Sequence, residues 1–337
     1  MNKTILITGG AGFIGSNFVP YFCQKYQKEY NILNLDKLTY AGNLDNLQEC
    51  DSMSNYKFVQ GDICDKELVK NIFEKYDVKR VIHFAAESHV DNSIKNPEIF
   101  IKTNVEGTFN LINCAFNHWM NGPNKVKYGY EECRFHHIST DEVYGTLGKD
   151  GYFTETTPYA PNSPYSASKA SSDLIVRAYH HTFGLNTTIS NCSNNYGPKQ
   201  HAEKLIPHMI KQALNEQPLT IYGKGENIRD WLYVLDHCKA VDLIFHRGKA
   251  GETYNIGGHN ERNNITIVKT ICKILNEKRP RNNGKKYEEL ITFVEDRAGH
   301  DFRYAIDATK LEKELGWKAD ETFDTGIVKT VEWYLNK

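Results

Sequence analysis

Two groups of residues have the types and spacing for chemistry. Tyr165 and Lys169 stand four apart in Tyr165-Ser166-Ala167-Ser168-Lys169. On a helix those side chains share a face. A nearby ammonium favours phenolate over phenol, which makes Tyr165 a candidate base for a hydroxyl proton as hydride leaves the same carbon. The run Ser139-Thr140-Asp141-Glu142-Val143-Tyr144-Gly145 supplies a hydroxyl and two adjacent carboxyls. Thr140 suits a hydrogen bond to a substrate hydroxyl. Closely spaced carboxyls titrate apart, so one serves as acid and the other as base. In isolation both groups are commonplace. Tyr-x-x-x-Lys recurs on exposed helices, and an Asp-Glu pair usually marks a solvated turn.

A third feature gives these residues a context. Gly9-Gly10-Ala11-Gly12-Phe13-Ile14-Gly15 follows an apolar, strand-like segment and opens a helical one. The spacing Gly9-x-x-Gly12-x-x-Gly15 lets the backbone turn tightly and approach a pyrophosphate, with peptide N–H groups facing the anion. Asp36 ends the next strand, where an acid holds adenosine ribose hydroxyls. A carboxylate there repels a 2′-phosphate, so NAD is expected over NADP. Asp62 and Ile63, after the third strand, are placed beside the adenine. Taken alone, Asp62 serves equally well as a helix N-cap.

The elements that must position these groups alternate. Strands are expected at 4–8, 31–35, 57–60, 80–85, 135–139 and 185–192, with helices at 13–28, 66–76, 97–118 and 164–182. Such alternation predicts an α/β fold, a Rossmann-type doubly wound parallel sheet. Thr140–Glu142 then lies past the fifth strand, at the carboxyl end where ligands bind. After about residue 195 the regularity weakens, with helices expected at 204–215, 234–247, 265–277, 308–315 and 325–335. The division read from this is a nucleotide-binding domain over 1–194 and a smaller C-terminal substrate lobe over 195–337, some of whose segments return to the first domain. Residues 121–132, rich in turn and charged types, read as a surface loop.

Composition fits this picture. The 337 residues are 40% apolar and 25% charged, with a net charge of -1. That balance argues against sequence-blind binding to nucleic acid. No apolar run is long enough for a membrane span, and the apolar start at 4–8 is too short for a signal peptide. The eight cysteines are scattered with no Cys-x-x-Cys pair, which disfavours a zinc site or a disulfide scaffold and suits the cytoplasm. No metal is expected.

Together the glycine loop, Ser139–Gly145 and Tyr165–Lys169 resemble the extended short-chain dehydrogenase/reductase family. Further motifs narrow the resemblance to its dTDP-glucose 4,6-dehydratases. They are Ala85-Ala86-Glu87-Ser88-His89-Val90-Asp91, Thr140-Asp141-Glu142, Ser193-Asn194-Asn195-Tyr196-Gly197-Pro198, Glu203-Lys204-Leu205-Ile206-Pro207, Tyr222-Gly223, Arg229-Asp230-Trp231-Leu232 and Asp296-Arg297-Ala298-Gly299-His300-Asp301. They span nearly the whole chain in the family's order. Ala298 and Ala202 stand where the family commonly has proline; both changes relax φ and remove no chemical group.

The resemblance implies a mechanism. Tyr165, supported by Lys169, takes the C4 hydroxyl proton while NAD accepts the C4 hydride. Glu142 removes the acidified C5 proton, Asp141 protonates the departing C6 hydroxyl, and hydride returns to C6. The product is a 4-keto-6-deoxy sugar nucleotide, of use in deoxysugar (dTDP-rhamnose-type) biosynthesis. It further implies that Lys37, Thr39, Phe84, Ala85, Ala86, Thr103 and Asn195 approach NAD. Ser88 lies near the sugar. Asn194, Lys204, Leu205, Tyr222, Arg229, Asn264, Arg297 and His300 surround the diphosphate and nucleoside. A homodimer is implied through the helices near 100–118 and 164–182. The alternatives are a UDP-glucose 4,6-dehydratase, a nucleotide-sugar 4-epimerase or decarboxylase, and a non-catalytic NAD sensor. The Asp-Glu pair argues against an epimerase or decarboxylase, and Tyr165 with Lys169 against the sensor.

Overall fold

The computed structural model describes residues 2–296 and 301–337. Seven parallel strands form the main sheet: β1 (Lys3–Thr8), β2 (Tyr30–Asp36), β3 (Tyr56–Gln60), β4 (Val78–His83), β5 (Arg134–Thr140), β6 (Thr187–Cys192) and β7 (Thr253–Ile256). Their order is β7-β6-β5-β4-β1-β2-β3, so the order of winding reverses between β1 and β4, which remain parallel. A doubly wound sheet opens its ligand crevice at that point.

Helices cover both faces. Ile5, Ile7, Ile32 and Ile82 pack against Phe18 and Phe22 of α1 (Phe13–Lys25), and the same core holds Val241 and Phe245. Leu6, Leu33 and Val81 face the other way, in a core with Val69, Leu111, Ile112 and Val176. These belong to α2 (Lys66–Tyr76), α3 (Thr108–Trp119) and α4 (Pro164–Phe183). Burial on both faces is why the strands read as continuous apolar runs. Val241 and Phe245 lie on α5 (Val234–Arg247). That helix and β7 are segments from beyond residue 195 that pack on the sheet.

One helix differs from its expected form. The stretch read as helix over 97–118 is Pro97–Phe100, a π-helical Ile101–Gly107, and then α3. Tertiary bonds explain the wider turn. Asn104 is buried, donating to Glu87 O at 3.0 Å and to Ser168 Oγ at 2.8 Å while accepting from Glu87 N at 2.8 Å. Part of the expected surface loop is also ordered, as a short hairpin of Met120–Gly122 and Lys125–Val126.

A third core, with Met209, Ile271 and Phe323, organises the remaining C-terminal segments. There Ile228–Tyr233 pairs with Asn194–Tyr196, Glu261–Asn263 and Arg303–Tyr304. Asn194 lies two residues past the end of β6, so the chain passes almost directly from main sheet to lobe. Among the described residues, no helix is long and apolar enough to cross a membrane.

Candidate active site

A cavity of about 290 Å³ lies along the carboxyl ends of the strands. Its floor begins at the glycine loop. Gly9 has φ +74°, and a Cβ there would stand 2.5 Å from Ala85 N. A Cβ on Gly15 would meet Gly9 O at 2.2 Å. These two glycines are therefore required by the protein's own packing. Gly12 differs: the nearest protein atom to its Cβ would be 3.4 Å away. The open space beside Gly12 and the free N–H groups of the first turn of α1, with Phe13 and Ile14, fit a pyrophosphate. No acid stands in that first turn to oppose an anion.

The adenosine end is built from strand ends. Asp36 accepts from Ala11 N at 2.9 Å and Leu38 N at 2.8 Å, which aims its carboxylate across the cavity mouth. Lys37 and Asp62 form a half-exposed ion pair of 2.8 Å. The helix cap here is Asp65, not Asp62. Thr39, Ile63, Phe84, Ala85, Ala86 and Thr103 also line the cavity. So does Asn195, whose amide is pinned by Ser193 O and His237 Nδ1, each at 2.9 Å. Among the described residues, no group of three or more His, Cys, Asp or Glu is arranged to hold a metal ion.

At the inner end, Thr140 closes β5 and Asp141–Tyr144 forms a single 3-10 turn. Thr140 Oγ1 donates to Asp141 Oδ1 at 3.3 Å. Asp141 is 1% exposed, and its Oδ2 has no hydrogen-bond partner among the described residues. Burial first, then the charge of neighbouring Glu142, pushes its carboxyl well above the usual range. Burial thus favours the neutral form of Asp141 beside a more open Glu142.

Tyr165 enters from the start of α4, where a Ser163–Ser166 capping box and Pro164 fix the first turn. Burial first, then the charge of Glu142, holds its phenol well above its usual range. Lys169 Nζ donates to Ile138 O at 2.8 Å, and burial lowers its proton affinity. Lys169 is not among the leading influences on the phenol, which burial dominates, so the expected pull of the lysine is not seen there.

All five candidate catalytic residues and every residue assigned to the dinucleotide line this one cavity. Of the residues expected to meet the substrate, Ser88, Asn194 and Lys204 also line it, with Lys204 Nζ donating to Ser88 O at 3.1 Å. Leu205, Tyr222, Arg229 and Asn264 stand away from it. Leu205 and Asn264 begin the helices Leu205–Leu214 and Asn264–Lys278, and Tyr222 ends an exposed strand edge. Arg229 is buried over the Tyr304 ring at 4.3 Å and donates to Asp301 O at 2.9 Å. Its charge acts on Asp141, drawing that carboxyl's proton affinity down. Arg297 and His300 fall outside the described residues. The sequence reading did not single out Cys192, Gln200, His201 and Glu203, which also line the cavity. For the last three, adjacency to Lys204 was the available signal.

Comparison with known proteins agrees with this geometry. The family model described as GDP-mannose 4,6 dehydratase matches residues 6–330. A dTDP-glucose 4,6-dehydratase of Xanthomonas campestris is 53% identical over 332 residues, covering 98% of this chain and 93% of the relative. The dTDP-glucose 4,6-dehydratase of Bacillus anthracis, solved in complex with NAD, superposes with a TM-score of 0.86 at 45% identity, covering 99% of this chain and 97% of that one. That of Streptomyces venezuelae, also with NAD bound, gives a TM-score of 0.89 at 42% identity over the same shares. With more than half of its residues shared across nearly its full length, the chain belongs to the dTDP-glucose 4,6-dehydratase family, within the extended short-chain dehydrogenases/reductases.

Proposed function

We propose that the chain is an NAD-dependent dTDP-glucose 4,6-dehydratase, a hydro-lyase that converts dTDP-glucose to dTDP-4-keto-6-deoxyglucose and water. The observation that carries this reading is the buried Asp141, whose carboxyl is pushed well above its usual range, beside Glu142 and within one cavity with Tyr165. Oxidation at C4 alone needs only the tyrosine. Loss of water across C5 and C6 needs a further base and a further acid, and this cavity holds both.

NAD, when bound, takes up hydride from C4 and returns it at C6. Tyr165 accepts the C4 hydroxyl proton, with Lys169 beside it and Thr140 orienting the hydroxyl. The resulting 4-ketone acidifies the C5 proton, which Glu142 removes. Asp141 passes its proton to the leaving C6 hydroxyl, which departs as water. Glu142 returns a proton to C5 as the hydride comes back at C6. Gly12, Phe13 and Ile14 hold the cofactor's pyrophosphate, Asp36 its ribose, and Ser88, Asn194 and Lys204 the substrate. In this reading residues 1–194 hold NAD and 195–337 grip the sugar nucleotide.

Two further parts of the reading concern the setting. A homodimer through α3 and α4 is supported by apolar side chains left exposed there, Phe109 at 43% and Leu174 at 57%, with Ile101 at 46% just before α3. A cytoplasmic location is supported by eight cysteines that are all free. The test of the activity is incubation with dTDP-glucose, following the alkali-induced near-UV absorbance of a 4-keto-6-deoxy product. A galactose epimer in its place would sink the dehydratase reading. Competition among dTDP-, UDP- and CDP-glucose then decides the base.

A further inference from the structure

One buried carboxyl has no task in that scheme. Asp173 lies on α4 one turn beyond Lys169 and two beyond Tyr165, so the three side chains share a face. It is 1% exposed. Ser139 Oγ donates to its Oδ2 at 2.8 Å and Tyr159 OH donates to the same oxygen at 3.0 Å. Oδ1 faces His137 Nε2 at 3.1 Å, close but not aligned as a hydrogen bond. The same Nε2 lies 3.5 Å from Lys169 Nζ. His137 therefore stands within reach of both charged groups.

A buried ammonium loses its proton unless a counter-charge is near. The groups facing Lys169 are few. His83 on β4 and His137 on β5 are both held neutral by burial. Cys192, at the end of β6, has its thiol pushed up to about 12 by burial. Asp173 is the strongest charge favouring the protonated lysine. The carboxyl itself is faced by Lys169, Ser139, His137, Tyr159 and Tyr144. Burial pushes it up to about 7, with Lys169, Ser139 and Tyr159 pulling the other way.

We propose that Asp173 is a positioning residue that supplies the counter-charge for Lys169 and, through it, tunes Tyr165. The inference deepens the dehydratase reading of Tyr165 and Lys169 and rests on it. With the carboxylate absent, Lys169 gives up its proton, and the phenolate of Tyr165 forms only at higher pH.

The test is Asp173→Asn, which keeps the shape and one acceptor while removing the charge. NADH formation from dTDP-glucose is followed in a single turnover across pH. The ascending limb should move up by about one pH unit, so the rate at neutral pH falls about tenfold. KM should stay within about twofold. Tyr159→Phe removes one donor to the carboxylate from outside α4 and should move the limb the same way by less. That variant decides the matter if Asp173→Asn does not fold. A limb that stays in place or moves to lower pH, with only the melting temperature reduced, overturns the inference. The wild-type control separates the two readings: failure of wild type to form NADH strikes the dehydratase reading, while normal wild-type turnover with an unmoved limb strikes this one alone.

Discussion

The two ends of the cleft use charge in opposite ways. At the adenosine end, Lys37 and Asp62 pair, which favours the charged form of each, and both sit partly in solvent. At the chemical end, Asp141, Tyr165, Lys169 and Asp173 are all buried, and burial is the first cause of each one's altered proton affinity. The outer groups recognise by charge and are screened by water. The inner groups exchange solvation for control over protons. Under the proposed roles, binding and catalysis occupy two electrostatic regimes, and substitutions at the inner end should cost more.

The sharpest test is Tyr165→Phe, which removes the first base. Its kcat should fall by about 10²–10⁴, and no NADH should form in a single turnover. Undiminished NADH formation would show that the inner end does not depend on this phenol. Glu142→Gln should retain C4 oxidation and lose about a hundredfold in dehydration. Enzyme-bound NADH should then accumulate, visible by its absorbance; dehydration near the wild-type rate would exclude Glu142 as the C5 base.

Asp141→Asn should cost somewhat less, and its signature is in pH. Asp141 acts while protonated, so wild-type dehydration falls as pH rises through its raised value, and the variant should lack that limb. Stability follows the same sign. A carboxyl whose folded pKa is raised contributes fully below its ordinary pKa, and the contribution is lost as pH rises toward the folded value. Asp141→Asn should therefore melt with less decline as pH increases, as calorimetry across pH would record.

Substitutions at the outer end test the other half of the contrast. Asp36→Ser should weaken NAD about tenfold and narrow the preference over NADP, measured by titration of each. Lys37→Ala breaks a half-exposed pair and should change NAD affinity by less than about threefold. A loss as large as that of Tyr165→Phe would erase the distinction between the two ends.

The same contrast governs what could be read from sequence. The glycine loop, Asp36 and the Tyr165–Lys169 face are local patterns, and the sheet that gathers them follows from alternating buried strands. Other features depend on distant partners. The π-helical turn at Ile101–Gly107 arises because Asn104 bonds Glu87 and Ser168. β7 reaches the sheet only after most of the lobe's first half has intervened. Ile228 pairs with Arg303, and no local period foretells that. Asp173 shows the limit most plainly. It sits at the right helical interval, but an aspartate on a helix is usually solvated, and only burial against β5 marks it out.

The hydrogen bond from Thr140 to Asp141 has a consequence for the cycle as a whole. The reaction is neutral in hydride, since what leaves C4 arrives at C6. It is also neutral in protons, but not residue by residue. In the proposed mechanism Glu142 returns what it borrows from C5, whereas Tyr165 ends a turnover with one proton too many and Asp141 with one too few. Readiness for the next substrate under that scheme requires one proton to move from the phenol to the carboxyl, which Thr140 adjoins by donating to Asp141.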